Sequence, residues 1–233
     1  MNNGTASLAD IQRDIERVPP EIVRKAAAFP AAILADVQGR RGTLSGRIAP
    51  LLPSMKLAGP AFTIEVRPGD NLMIHAALSL AKPGDVLVID GKADLSCALM
   101  GSLMLNTSKV IGLGGVVIDG AVRDVLELRE LGFPVFAAGA NPNGPTKLVP
   151  GRINWPVAVG GITVHPGDLI VGDADGVVVI EKARAESLLA LAAKKVAEET
   201  HRLDDILHRR NLEPGWLDPA LRAAGALKAD EKL

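Results

Sequence analysis

The sequence predicts an α/β fold in which mixed β-sheets are covered by helices. The middle of the chain alternates: strand (86–90), helix (95–109), strand (115–118), helix (121–131), then the short strand "PVFAA". That βαβαβ order argues for parallel strands with covering helices. From residue 150 the pattern changes, because "VAVGGITVHPGDLIVGDADGVVVI" holds short apolar runs separated by Gly/Asp turns, the mark of antiparallel strands. A long helical pattern over residues 182–208 follows, and "NLEPGWLDPALRAAGAL" ends in a last short helix.

The remaining elements follow from local chemistry. Residues 8–18 and 20–28 read as two short helices broken by Pro19-Pro20, with Pro20 suited to a helix start. "PAAILADVQ" reads as a third helix, and the Gly/Pro/Ser-rich, basic run over 40–56 as loop with room for a short strand. "GPAFTIEV" alternates like a strand. Pro-Gly-Asp occurs at 68–70, 83–85 and 166–168, and Pro followed by Gly suits the centre of a type II turn. The second and third copies launch apolar runs; the first launches "NLMIHAALSLA", with Asp70 as the expected N-cap. No linker separates two domains, so one domain over 1–233 is expected, with N-terminal helices at about 8–38 and a C-terminal helical extension at about 182–227.

Composition excludes several classes of function. Net charge is -1 with no long basic block, there is no tyrosine, and aromatic residues make up 3%. Electrostatic nucleic-acid binding and a base-stacking platform are therefore not expected. No apolar run approaches the ~20 residues of a membrane span. The single cysteine, Cys97, cannot form an internal disulfide, and "MNNGTASLADIQRDIERVPP" lacks a basic region followed by an apolar core. A cytoplasmic location without a signal peptide is the expectation. Zinc spacing, a Walker A loop and a Gly-x-Ser-x-Gly elbow are all missing, and "GLGG" (112–115) precedes a strand where a dinucleotide fingerprint would follow one.

Four places carry chemistry. In "VVIDGAVRDVLELREL" (116–131) an apolar strand feeds a helix whose first turn is read to hold Arg123 and Asp124. Helix starts favour negative charge, so Asp124 is at home and Arg123 is not. Either the pair is a solvated helix start, or Asp124 holds a hard cation while Arg123 faces an anion; Mg²⁺ is often bound by one or two carboxylates plus substrate oxygens. Gly101, followed by Ser102, Leu103 and Met104, interrupts a helical pattern at a cost of ~1 kcal/mol relative to alanine. The break serves close packing or exposes backbone N–H groups to a carboxylate. Glu199 interrupts the apolar stripe Leu188, Ala192, Val196, Leu203, Ile206 of the long helix, as a snorkelling edge residue or an acid near a neighbouring subunit. His75, among Leu72, Ile74 and Leu78, reads as structural.

"DNLMIHAALSLAKPGDVLVIDG", "GGVVIDGAVRDVLELRELGFPVFA", "NPNGPTK" and "VGDADGVVVI" together resemble the RraA-like family, over about residues 30–205. That family includes 4-hydroxy-4-methyl-2-oxoglutarate/4-carboxy-4-hydroxy-2-oxoadipate aldolases and RraA regulators of RNase E. The resemblance implies an α-β-β-α sandwich of the swivelling, phosphohistidine-domain type, and homotrimers or homohexamers with active sites between subunits. It implies a lyase releasing pyruvate from 2-oxo acids, with oxaloacetate decarboxylation, and Mg²⁺ or Mn²⁺ as cofactor. On this chain Asp124 would bind the metal and Arg123 would stabilise the pyruvyl enolate. Gly101, Ser102, Leu103 and Met104 would hold the pyruvate carboxylate, and Glu199 would come from an adjacent subunit. The family motif is an Asp, twenty intervening residues, then Arg-Asp; Arg123-Asp124 match, but Ser102 stands where the first Asp would be. The departure leaves decarboxylation, which needs only an electron sink, more secure than retro-aldol cleavage, which needs a base. The alternative is a non-catalytic regulator that binds RNase E or another protein.

Overall fold

In the computed structural model, which describes residues 10–228 and Glu231, the chain begins with β1 (Asp10–Ile11), α1 (Pro20–Ala26), α2 (Ala31–Val37), β2 (Ala49–Pro50) and β3 (Leu57–Glu65). It continues through α3 (Leu72–Leu78), β4 (Val86–Met100), α4 (Ser102–Ile111), β5 (Gly115–Val122), α5 (Val125–Leu131) and β6 (Val135–Ala140). Then come β7 (Arg152–Ile153), β8 (Val157–Val159), β9 (Ile162–Val164), β10 (Leu169–Asp173), β11 (Gly176–Ile180), a single 3₁₀ turn, α6 (Ala185–Leu207) and α7 (Leu217–Ala223). Two compact units result, Met1–Ala192 and Ala193–Leu233.

In the first unit, β3, β4, β5 and β6 are parallel neighbours, as the βαβαβ order requires. The long β3 serves two partners. Its second half, Ala61–Glu65, pairs in parallel with Val86–Asp90, and its first half, Leu57–Pro60, pairs antiparallel with β10. β10 and β11 form the antiparallel hairpin expected late in the chain, and β8–β9 form another.

Side-chain alternation sorts the core into three layers. On β4, Leu87 and Ile89 face Ile74, Met104, Leu105 and Leu128 of α3, α4 and α5. Val86 and Val88 face the other way, onto Val157, Val159, Ile170, Val177 and Val179. On β10 and β11, Leu169, Val171, Val178 and Ile180 point away from that middle layer, onto Ile22, Leu34, Leu188 and Ala192. Helices, sheet, second sheet and helices therefore stack with an apolar layer at each junction, the α-β-β-α arrangement. Each fully buried Leu, Ile, Val or Phe contributes roughly 1.5–3 kcal/mol.

All three Pro-Gly-Asp glycines take the positive φ of a type II turn: Gly69 at 77°, Gly84 at 88° and Gly167 at 84°. The structure corrects four element assignments. Residues 12–19 are not helical, and Asp10–Ile11 pair as a strand with Arg152–Ile153; residues 8 and 9 lie outside the described chain. Tertiary bonds hold this segment extended, with the Asn154 Nδ2–H donating to the Gln12 carbonyl at 2.7 Å and Arg17 forking onto Asp85 at 2.7 and 2.9 Å. The expected helix over 95–109 starts only at Ser102, because β4 runs on to Met100. Cys97 to Met100 are all buried, and a strand covered on both faces lacks the alternation that distinguishes it from a helix. The β5 strand outruns 115–118, since Gly120 and Ala121 let it lie beside Asp94, Ala98 and Gly139. Asp70 is not the N-cap of α3; Asn71 holds that place.

The second unit holds the distal part of α6 together with α7. Arg202 donates to the carbonyls of Asn211 and Leu212 at 2.9 and 3.0 Å, folding the turn after α6 back onto it. Leu188 and Ala192 of the anticipated stripe are buried in the first unit, whereas Val196, Leu203 and Ile206 are exposed. Among the described residues no helix is long and apolar enough to cross a membrane.

The Asp85 side chain is fully buried and its charge is met by Arg17. Removing one partner of such a pair leaves an uncompensated charge, at about 3–5 kcal/mol. Arg17→Ala should lower unfolding stability by that order in urea denaturation; a change below about 1 kcal/mol would mean the pair behaves like a surface contact.

Candidate active site

Two strand-to-helix corners meet at the C-terminal edge of the parallel sheet, where open α/β sheets bind ligands. β4 turns into α4 through Gly101, and β5 turns into α5 through Arg123 and Asp124. Their register is fixed by Met100 lying opposite Val122 and by the Arg123 N–H donating to the Met100 carbonyl at 3.0 Å. Arg123 therefore precedes α5 and is not in its first turn, which corrects the sequence reading and removes the conflict with the helix dipole. Asp124 is the N-cap of α5 at φ 61°, ψ 37°. A left-handed conformation is uncommon outside glycine, and Asp is among the residues that tolerate it. It turns the carboxylate back toward the start of α4, where the Ser102 N–H donates to Oδ2 at 2.9 Å.

Gly101 is needed for this approach. A Cβ there would lie 2.5 Å from Asp124 Oδ2, 3.0 Å from Arg123 Cγ and 3.1 Å from Arg123 Nε. Its φ of -140° suits any residue, so contact and not backbone strain selects glycine. Next along α4, the Leu105 N–H bonds the Gly101 carbonyl at 3.1 Å. The amides of Leu103 and Met104 belong to the first turn, which no intrahelical carbonyl can satisfy, and the helix dipole adds partial positive charge there.

These groups line a cavity of about 260 Å³ together with Asn71, His75, Pro145 and Lys147. The structure thus brings together six of the anticipated site residues: Gly101, Ser102, Leu103, Met104, Arg123 and Asp124. Glu199 lies in the second unit, where it pairs with Lys195 at 3.0 Å. Asn71 donates from Nδ2 to the Leu99 carbonyl at 2.9 Å, while its Oδ1 is buried without a hydrogen-bond partner.

Sequence reasoning missed Asn71 and Lys147 and took His75 as structural. Lys147 arrives on a loop that Asp70 holds. The buried Asp70 accepts from the Thr146 hydroxyl at 2.6 Å, from the N–H groups of Leu148 and Val149 at 2.7 and 3.2 Å, and from the Leu72 N–H at 2.9 Å. Burial raises its pKa, but these four donors outweigh burial and hold it below the usual range. His75 is pushed below its ordinary value by burial first and by the Lys147 charge second. The available signal was a Gly/Pro-rich loop bearing a cation after a sheet strand.

Asp124 is the only carboxylate among the lining residues, and its side chain is 32% exposed. The Arg123 Nε lies 3.8 Å from its Oδ2. Among the described residues no three His, Cys, Asp or Glu side chains come together as a metal cluster. Any cation here would rest on Asp124 and complete its shell with water and ligand oxygens. That is the habit of Mg²⁺ and Mn²⁺ and not of a structural zinc.

The geometry coincides with a known family. Residues 5–179 match the family model described as RraA-like, Aldolase/RraA, and the chain belongs to that family. A protein of Halalkalibacterium halodurans, provisionally named a 4-hydroxy-4-methyl-2-oxoglutarate aldolase, is 40% identical over 182 residues, spanning 78% of this chain and 87% of its own. Streptomyces coelicolor RraAS2, titled an unusual member of the RNase ES inhibitor RraA family, superposes with a TM-score of 0.74 at 32% identity, over 81% of this chain and 99% of that one. The RNA-processing inhibitor RraA from Thermus gives a TM-score of 0.60 at 30% identity, over 65% of this chain and 92% of that one.

Two outcomes follow. Gly101→Ala should keep the fold, with a stability change under about 1 kcal/mol, because the atoms it meets belong to the partly exposed side chains of Arg123 and Asp124 and not to backbone. It should displace Arg123 and Asp124, visible in a crystal structure of the variant as a shift of the Asp124 carboxylate away from the Ser102 N–H; an unmoved carboxylate would show the close approach to be incidental. The depressed Asp70 pKa contributes stability that is complete above its unfolded value of about 4 and is lost as pH falls through the lower folded value. Asp70→Asn should therefore flatten the acid limb of the stability–pH curve, and an unchanged acid limb would contradict the assignment.

Proposed function

We propose that the protein is a divalent-metal-dependent lyase that cleaves the C3–C4 bond of 2-oxo acids and releases pyruvate. The single observation that carries this reading is the convergence of the Asp124 carboxylate, the Arg123 guanidinium and the open amides of Leu103 and Met104 on one cavity. Membership of a family that includes aldolases supports it, as does the 40% identity to the Halalkalibacterium halodurans protein. Retro-aldol cleavage of 4-hydroxy-4-methyl-2-oxoglutarate or 4-carboxy-4-hydroxy-2-oxoadipate and decarboxylation of oxaloacetate both proceed through the pyruvate enolate.

In this reading the substrate's 1-carboxylate docks on the Leu103 and Met104 amides, where the start of α4 favours negative charge. Arg123 donates to the 2-oxo oxygen and gains strength as that oxygen becomes an enolate. Asp124 would hold Mg²⁺ or Mn²⁺, which when bound supplies Lewis-acid polarisation of the 2-oxo group. Ser102 supplies its N–H to Asp124 but offers no carboxylate to take the proton of a 4-hydroxyl. Decarboxylation needs no such base. For aldol cleavage, Glu199 of an adjacent copy in a trimer or hexamer is the acid we assign to that task.

A second reading, a regulator that binds RNase E or another protein, draws on the RraA structures to which the chain is similar and on the loss of an acid at Ser102. It requires neither metal nor turnover.

Purified protein should release pyruvate, detected by coupling to lactate dehydrogenase, in a Mg²⁺-dependent manner above metal-only blanks. Turnover of oxaloacetate and of 4-carboxy-4-hydroxy-2-oxoadipate would mean the Ser102 position is compensated. Turnover of oxaloacetate alone would mean the enolate site works without a hydroxyl base. Asp124→Ala should reduce turnover at least about 100-fold with the fold intact. Undiminished turnover would rule out this metal assignment, and silence on both substrates would favour the regulator.

A further inference from the structure

A second cavity, of about 720 Å³, shares no lining residue with the candidate active site. Its walls come from the extended segment after β1, the link between β7 and β8, the third Pro-Gly-Asp turn and the residues after β11. Four carboxylates line it, those of Asp14, Glu16, Asp168 and Glu181, against one lysine, Lys182. Lys182 is spent on Glu16 at 2.8 Å, and that contact holds the Glu16 carboxyl below its ordinary range. The buried Asp168 accepts the N–H groups of His165 and Lys182 at 2.9 and 3.1 Å, which ties two of the walls together. Asp14 and Glu181 are left over: neither side chain has a hydrogen bond or ion pair among the described residues. Arg17 lies within electrostatic reach of Asp14, but its guanidinium forks onto Asp85.

Acidic walls alone do not define a ligand; Asn154 adds the missing demand. It lines the same cavity and is 1% exposed. Its Nδ2–H donates to the Gln12 carbonyl at 2.7 Å. A carbonyl can only accept, so this bond fixes which way the amide faces. Oδ1 is left buried with no hydrogen-bond partner. The backbone holds the residue there, at a φ of 60° that Asn tolerates, with its N–H on the Thr63 carbonyl at 2.8 Å. A buried acceptor without a donor is costly. Here it belongs to a cavity whose unengaged charged groups are all carboxylates, so what the walls call for is positive charge carried on N–H groups.

We propose that this cavity is a binding site for a small organic cation with N–H donors, a short aliphatic diamine. One ammonium donates to Asn154 Oδ1, and Asp14 and Glu181 neutralise the ligand's charge. Among the described residues no three His, Cys, Asp or Glu side chains come together as a metal cluster, which favours an organic cation over a metal ion. The volume lies within the range of small-molecule sites. The site is independent of the lyase reading, and neither stands or falls with the other.

Two probes separate a built site from a diffuse negative surface: 1,4-diaminobutane, and its hexamethyl bis-quaternary analogue, which keeps both charges and has no N–H. Calorimetry on the full chain should show the diamine binding at least about tenfold more tightly than the analogue. Asp14→Asn and Glu181→Gln, both on exposed side chains, should each weaken the diamine about threefold. Asp175→Asn, an exposed carboxylate outside the cavity, should leave its affinity unchanged. Equal affinity for the analogue would show that Asn154 Oδ1 takes no part and would overturn the proposal. So would equal weakening in Asp175→Asn, the mark of non-specific attraction, or no binding of the diamine at millimolar concentration.

Discussion

The site depends on one close approach: the backbone of Gly101 against the carboxylate of Asp124. It brings two strand-to-helix corners together, so that the open amides of one helix start and the Arg-Asp pair of the next face one cavity. A methyl group at 101 would occupy the space of Asp124 Oδ2. The approach follows from the parallel register of β4 and β5, in which Met100 lies opposite Val122 and the next residues of both chains emerge side by side. Asp124 completes it by accepting a left-handed backbone that aims its carboxylate across the sheet edge.

The layers beneath make this edge rigid. Ile89 and Leu99 of β4, Ile118 and Val122 of β5, and Met104 and Leu105 of α4 belong to one buried cluster, so both corners are anchored in the same apolar layer. On its other side the sheet is locked to β8–β11 through Val86, Val88 and Val117. Close-packed interiors tolerate little displacement, so the geometry of the corners is set before any ligand arrives. The RNase-inhibitor relatives share this platform, and a common fold does not by itself confer turnover. The proposed chemistry rests on a few side chains at the edge.

Much of the platform was legible in the sequence. The βαβαβ alternation, the antiparallel second half and the three Pro-Gly-Asp turns follow from local patterns, and each stands in the structure. The failures share a cause. Residues 12–19 and 95–100 carry apolar residues at spacings that fit a helix, but tertiary partners hold them extended: Asp85 and Gly167 for the first, β5 for the second. Local periodicity cannot see a partner far along the chain. For the same reason Arg123 looked misplaced at a helix start when it lies in the corner between the extended β5 and α5. Six residues that line the cavity were singled out through the family pattern, which spans Gly101 to Asp124. Lys147 was not, because its place in the cavity depends on Asp70, distant in sequence and buried beneath the loop.

The central claim is that the cavity between the two corners is where a cation and a 2-oxo acid meet. A crystal structure of the protein grown with Mn²⁺ and pyruvate tests it most directly. The account requires anomalous density beside the Asp124 carboxylate, with the pyruvate carboxylate on the Leu103 and Met104 amides and the oxo oxygen toward Arg123. Mn²⁺ bound elsewhere, or pyruvate absent from this cavity at saturating concentration, would contradict it.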